Sequence, residues 1–278
     1  MKRGWSVVSK GIITGLLILA VFILFLTKES LSSEDGPGVK NTPHDLSDTG
    51  GCLSADCYPW SYQTTEVCVF CHTPHAGQGS TPLWNKPLPS SSFSMYTSPT
   101  FEMGPAGQMG SVVGTPSILC MSCHDGTMAM NVVTNSPGRG TTGSIPDGGM
   151  NTRMDQVYNP SWPGTYPGPN ISGSYSGGGE SIDKLTDEHP ISFTYNPGAD
   201  TEGNNFPAVA SGVITGASGT KYRLYGSNKD QFECSTCHDV HDTATYDKLS
   251  QGGRYEIFFL RGSNLSSQMC RDCHTGKY

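Results

Sequence analysis

Four times along the chain two cysteines separated by two residues are followed at once by a histidine: Cys68, Cys71 and His72; Cys120, Cys123 and His124; Cys234, Cys237 and His238; Cys270, Cys273 and His274. This is the pattern of covalent c-type haem attachment. Two thiols add across the two porphyrin vinyl groups, and the next residue brings its imidazole to the iron as proximal ligand. Spacing and histidine therefore form one device. Paired Cys-x-x-Cys elements also build closed zinc sites, but zinc does not require a histidine directly after every second cysteine. With only 8 His in 278 residues, four such placements point to four haem c groups.

Four histidines remain as distal ligands, one for each iron: His44, His75, His189 and His241. Their order repeats. A spare histidine, a Cys-x-x-Cys-His-x-x-His run and a second Cys-x-x-Cys-His appear from His44 to His124, and again from His189 to His274. The repeat is an internal duplication of a two-haem module. Residues three apart on a helical turn share a face, roughly 5 to 6 Å apart at Cβ. His75 is thereby barred from the far side of the haem held by His72, and His241 from that held by His238. Each must ligate a different haem, which draws macrocycles together as electron transfer requires. Methionine is the rival sixth ligand and raises the potential relative to histidine; Met121, Met128, Met130 and Met269 lie in or near motifs. With one spare imidazole per iron, the inventory favours a conductor over an enzyme with an open coordination position.

Of the 10 Cys, Cys52 and Cys57 are not needed for haem. Tyr58 follows Cys57, so no fifth proximal ligand exists, and outside the cytoplasm such a pair forms a short-loop disulfide; two free thiols is the alternative. Lys2, Arg3 and Lys10 precede an unbroken apolar run from Gly11 to Leu26. That makes residues 1–33 an export signal or a retained anchor. Both place the body outside the cytoplasm, extracellular or at the cell surface in the first case, periplasmic and membrane-anchored in the second.

The elements that must position these groups are meagre. The chain has 35 Gly and 19 Pro with 35% hydrophobic residues, a composition poor in material for an ordinary core. The expected fold is a coil-rich multihaem cytochrome c, with a few short helices at the haem motifs, little strand, and a core formed by the four haems. Residues 34–134 make dihaem module 1 and residues 181–278 dihaem module 2. Between them, 135–180 is a Gly/Pro/Ser-rich insert whose Tyr158, Trp162, Tyr166 and Tyr175 suit packing on a surface. Asn170 and Asn264 match the glycosylation acceptor pattern, a weak signal. A net charge of −7 argues against nucleic acid as a partner. No phosphate loop, serine nucleophile or informative carboxylate pair is present.

The phrases around the motifs, among them Cys68 to His75, Leu83-Trp84-Asn85, Cys120 to Thr127, Asp187 to Phe193 and Cys234 to Asp242, resemble the OmcE-like tetrahaem cytochromes that polymerise into extracellular filaments. The resemblance implies a bis-histidine haem chain of alternating stacked and T-shaped pairs, continued from subunit to subunit as a conducting nanowire. It also implies a homopolymer in which one axial histidine crosses the subunit boundary, for which position on the N-terminal arm nominates His44. Redox-partner cytochromes or extracellular metal acceptors would take the electrons. The Cys52 to Cys57 loop and the long insert do not match the family pattern. The competing class is a membrane-anchored NapC/NirT-like quinol dehydrogenase, which also joins an N-terminal span to four haem motifs.

Overall fold

The computed structural model describes residues 38–40, 42, 44–47, 63–78, 83–89, 92–103, 115–125, 127–136, 143–145, 184–201, 203, 205–241 and 259–276, all within the compact unit Pro37–Tyr278. The N-terminal 1–33 segment, Cys52, Cys57, Asn170 and most of the 135–180 insert lie outside the described residues. Among the described residues no helix is long and apolar enough to cross a membrane.

Each motif sits on one short helical turn. A 3-10 turn, Val67–Phe70, carries Cys68; α1, Ser117–His124, carries Cys120, Cys123 and His124; α2, Cys234–Cys237, is the third motif itself; α3, Gln268–Cys273, carries Cys270 and Cys273. A single turn suffices because the motif needs only its two thiols on one side. The turn then closes on itself: the backbone N–H of His72 donates to Cys68 O (2.8 Å), that of His238 to Cys234 O (3.0 Å) and that of His274 to Cys270 O (2.8 Å).

The strands are equally short. β1 (Ser94–Met95) runs parallel to β4 (Lys184–Leu185), and β2 (Val132–Val133) pairs antiparallel with β3 (Gly143–Ser144). β5 (Phe193–Thr194) pairs antiparallel with β9 (Gln231–Phe232), and β6 (Val209–Ala210), β7 (Val213–Thr215) and β8 (Lys221–Arg223) form a meander. The β1–β4 pair joins the first half of the chain to the second, so the two modules share one body.

The duplication is also a duplication of backbone geometry. After the first motif the chain returns so that Trp84 bridges His72; after the third, Leu260 bridges His238. Thr73 N–H donates to Leu83 O (2.9 Å) where Asp239 N–H donates to Phe259 O (2.7 Å), and Asn85 N–H reaches Cys71 O (2.9 Å) where Arg261 N–H reaches Cys237 O (2.8 Å). Even the side chains match: Asn85 Nδ2 donates to Val69 O (2.6 Å) and Arg261 Nε to Ser235 O (2.9 Å). Leu83 (φ 61°) and Phe259 (φ 65°) both occupy left-handed backbone, an uncommon state for bulky residues. Leu83 thus corresponds to Phe259, and His75 to His241.

The polypeptide supplies three apolar clusters of its own. One gathers Leu46, Phe70, Met130, Val133 and Ile145 around Cys71 and Cys123. A second gathers Met103, Phe193, Tyr195, Ile214, Tyr222, Leu224 and Phe232 around Cys237, Met269 and Cys273. The third holds Phe93, Met95, Met121 and Leu185. Met121 and Met130 are therefore core side chains, buried to 0% and 1% exposure, which is the commoner use of methionine. Interior space that composition left to the porphyrins is partly filled by side chains.

Beneath the last motif, buried Asp272 accepts hydrogen bonds from Tyr222 Oη (2.6 Å), Ser218 N (2.8 Å), Ser218 Oγ (2.7 Å) and Gln268 Nε2 (3.0 Å). Gly216 must be glycine here, since a Cβ would lie 2.5 Å from Asp272 Cβ. Desolvation pushes the Asp272 carboxyl upward, but the bonds from Tyr222, Ser218 and Gln268 outweigh it and hold the group below its ordinary 3.8. Folding thus favours the ionised form, so this stabilisation is complete above 3.8 and is lost as pH falls through the lower folded value. Asp272→Ala should cost about 2–4 kcal/mol by stranding these buried donors, with less pH dependence on the acid side; denaturant unfolding at pH 7 and pH 3 measures both, and an unchanged midpoint contradicts the assignment.

Candidate haem-binding sites

The motif turns bring their thiols together two by two. Cys71 and Cys123 pack on the same apolar cluster, and burial first, then Cys123, pushes Cys71 up to about 12. Cys237 and Cys273 repeat this in the second half, with Cys237 pushed up to about 12, chiefly by burial and then by Cys273. Between these two pairs Cys120 and Cys234 adjoin, their proximity pushing Cys120 up and Cys234 down, while the Cys120 S–H donates to Pro116 O at 3.7 Å. Ser117, fully buried one turn ahead of Cys120, accepts the Cys234 backbone N–H at 2.9 Å. The motifs therefore touch in chain order, first to second, second to third, third to fourth. No disulfide joins the eight motif cysteines.

The histidines also come in pairs. His44 lies 6.1 Å from His124 between ring centres, with 66° between planes, and His72 lies 6.1 Å from His241, with 24° between planes. Two metal–nitrogen bonds of about 2 Å, plus roughly 1 Å from each nitrogen to its ring centre, give a separation of roughly 6 Å for two imidazoles sharing one metal from opposite sides. Both pairs meet that spacing. His241 faces His72, in the other module, and not its neighbour His238. His44, nominated as a ligand for the next subunit, instead faces His124 of its own chain. The cause is local: Thr42 Oγ1 bonds Val39 O (2.6 Å) and receives His44 N–H (3.2 Å), while Asp45 receives Ser47 N–H (3.3 Å) and Oγ–H (2.6 Å), turning the arm inward.

Aromatic rings set the remaining orientations. Phe259 stacks on His44 at 4.6 Å, and Trp84 meets His72 edge-on at 6.0 Å. Phe232 lies 5.4 Å from His189 and Phe206 lies 4.9 Å from His274, with Tyr195 contacting both phenylalanines. His189 Nδ1 sits 2.9 Å from Pro190 O. A carbonyl only accepts, so Nδ1 carries the proton and Nε2 keeps its lone pair, the tautomer a metal ligand needs. Desolvation supports this by lowering His189, and it lowers His44 to about 3, with His124, His238 and His241 adding to the effect. His238 is lowered by desolvation, then His124 and Arg261. Both His189 and His238 nevertheless retain exposed surface, as does His75. Among the described residues none of His75, His189 and His238 is shown with an imidazole at the 6 Å spacing.

Among the described residues no three His, Cys, Asp or Glu side chains converge on one point; the donors come as imidazole pairs and thiol pairs. Comparison with protein-family models finds no match, and no curated protein matches the chain.

Several supporting residues were invisible in the motif pattern. Lys86, 1% exposed, donates to Met130 O (2.8 Å) and Val132 O (2.7 Å) and hydrogen-bonds Cys123, opposing the rise that burial causes there. Asn85, fully buried, also donates to Asn135 O (3.1 Å) and accepts Asn135 N–H (2.8 Å). Only their place beside Trp84 in the Leu83-Trp84-Asn85 phrase signalled them. Asn85→Ala leaves part-buried partners at Val69 and Asn135 unsatisfied on two segments and should lower stability by about 1–3 kcal/mol, whereas exposed Val209→Thr changes it by under about 0.5 kcal/mol; equal denaturant midpoints for the two variants would refute this role.

Proposed function

We propose that this chain is an exported tetrahaem c-type cytochrome that carries electrons along a line of haems with two histidines each, and that it makes or breaks no substrate bond. The observation that carries this reading is the 6.1 Å spacing of His44 from His124 and of His72 from His241. The motif cysteines hold each group covalently, His72, His124, His238 and His274 take one axial position, and His44, His75, His189 and His241 take the other. Bound haem supplies an iron that gains and loses one electron, with a potential set by its axial pair. The protein's part is to close both axial positions, to exclude water with the apolar clusters at Cys71–Cys123 and Cys237–Cys273, and to keep the motifs in contact from first to fourth.

A net charge of −7 suits cationic or metal acceptors and not nucleic acid. Export is required because haem is attached to such motifs outside the cytoplasm, and the extracellular polymer implied by the family resemblance is the assembly we favour.

Matured with its haems, the protein should carry four per chain by pyridine haemochrome. His241→Ala should open the axial position opposite His72, turning one haem in four high-spin and able to bind carbon monoxide; His44→Ala should do the same opposite His124. An optical spectrum unchanged in both variants, or stoichiometric zinc in place of haem, defeats the proposal.

A further inference from the structure

The two modules share a backbone frame but not the charges set into it. Counted from the matched residues Asn85 and Arg261, whose N–H groups reach Cys71 O and Cys237 O, Lys86 corresponds to Gly262. Counted from Cys123 and Cys273, Ser122 corresponds to Asp272. Lys86 is 1% exposed, and Ser122 and Asp272 are fully buried. Gly262 leaves no room for a side chain, since a Cβ would lie 2.8 Å from Thr220 Cγ2 and 3.2 Å from Tyr222 Oη. Module 1 therefore buries a cation where module 2 has bare backbone. Module 2 buries a carboxylate where module 1 has only a hydroxyl, which donates to Leu119 O (2.6 Å) and accepts Trp84 Nε1–H (3.1 Å).

Both charges stand beside the cysteines that would carry haem. Lys86 Nζ donates to Met130 O (2.8 Å) and Val132 O (2.7 Å) and hydrogen-bonds Cys123, which shares its apolar cluster with Cys71. A thioether sulfur only accepts, so with haem attached one nitrogen meets three acceptors and needs three N–H bonds, an ammonium. None of the three is a carboxylate. Asp272 is the inverse case, an acceptor ringed by the donors of Tyr222, Ser218 and Gln268, and after burial it is the main influence raising Cys273. Neighbouring charges leave the contrast standing. Arg261, beside Cys237, is paired with Asp239 at 2.8 Å. Glu233 bears on Cys120 and Cys234 alike, hence on both modules. Asp125 opposes Lys86 at Cys123, but acts more weakly there.

We propose that Lys86 and Asp272 set the duplicated modules at different reduction potentials, the two haems of module 1 above the two of module 2, so that an electron entering the chain settles in module 1. The proposal rests on the haem reading above. Reduction lowers the charge on a haem iron by one. A buried cation beside it therefore favours the ferrous state and a buried anion the ferric, and both act with little screening away from water. In the transfer one iron of module 2 passes from ferrous to ferric as one iron of module 1 passes from ferric to ferrous, with no proton moved and no bond broken. The repeated backbone supplies equivalent sites, and two side chains make them unequal.

Redox titration of the haem-loaded protein, followed by haem absorption, tests this. The wild type should show an upper and a lower pair of one-electron midpoints, with an interval that high salt leaves in place because both charges are buried. Lys86→Gln keeps N–H donors without the charge. It should lower the upper pair, changing the ferric-to-ferrous ratio at a fixed potential about tenfold, or ~59 mV for one electron, and leave the lower pair where it was. Asp272→Asn should raise the lower pair and leave the upper. A purely structural role for either residue would instead lower haem content or move all four midpoints together. Coincident wild-type midpoints, an unmoved pair in either variant, a shift in the wrong pair, or shifts of like sign would overturn the proposal while leaving the haem reading intact. Should Lys86→Gln take up fewer than four haems, Asp272→Asn decides by the same criterion. A wild-type haem count short of four overturns the haem reading and this inference with it.

Discussion

An imidazole that follows the second cysteine of a haem motif reaches only one face of the macrocycle beside it, so every second axial ligand must come from elsewhere. On the proposed haem reading, this constraint links segments that the three separate apolar clusters do not join. His72 is met by His241 from the other module and His124 by His44 from the arm. Each meeting ties together segments that no long helix or broad sheet connects. Strands of two or three residues could not hold such a chain unaided, and two-stranded pairs are marginal in water. On the proposed haem reading, covalent attachment and metal ligation would supply the long-range links that such a chain otherwise lacks.

The left-handed backbone at Leu83 and Phe259 belongs to the same logic. A bulky residue in that region costs on the order of 1–3 kcal/mol and persists only where its surroundings fix it. Here the surroundings are the same in both modules: the residue's carbonyl receives the N–H just after the motif histidine, and the residue two places on reaches the carbonyl of the second cysteine. The chain reverses at one point, with one side chain turned outward from the motif. In module 2 that side chain is Phe259, lying against His44. In module 1 it is Leu83, facing solvent.

What sequence offers is a candidate chemistry, because a fixed Cys-x-x-Cys-His spacing is local and needs no knowledge of the fold. The duplication was legible for the same reason. The returning segments were not: Trp84 lies twelve residues after His72 and Leu260 twenty-two after His238, so equivalent bridges are closed by loops of unequal length. Asn85 and Arg261 do one job with different chemistry, and neither residue type suggests the other. The direction of His44 was not legible either, because a position near the arm says nothing of orientation; in the single chain the bonds of Thr42 and Asp45 place it beside His124. The nine strands among the described residues were equally hidden, each too short to show alternation.

A module whose two faces fit each other behaves differently alone, doubled and repeated. Alone it has one face of each kind exposed. Doubled within one chain, it buries one copy of the junction, here at Ser117, Cys120 and Cys234, and still has one face of each kind exposed. Duplication therefore keeps one face of each kind, and the thiol contacts run in one direction from first motif to fourth. A symmetric two-fold contact would have buried both faces at once and stopped there. The order of motifs in the chain follows from one geometric operation, applied through the peptide that links the two halves.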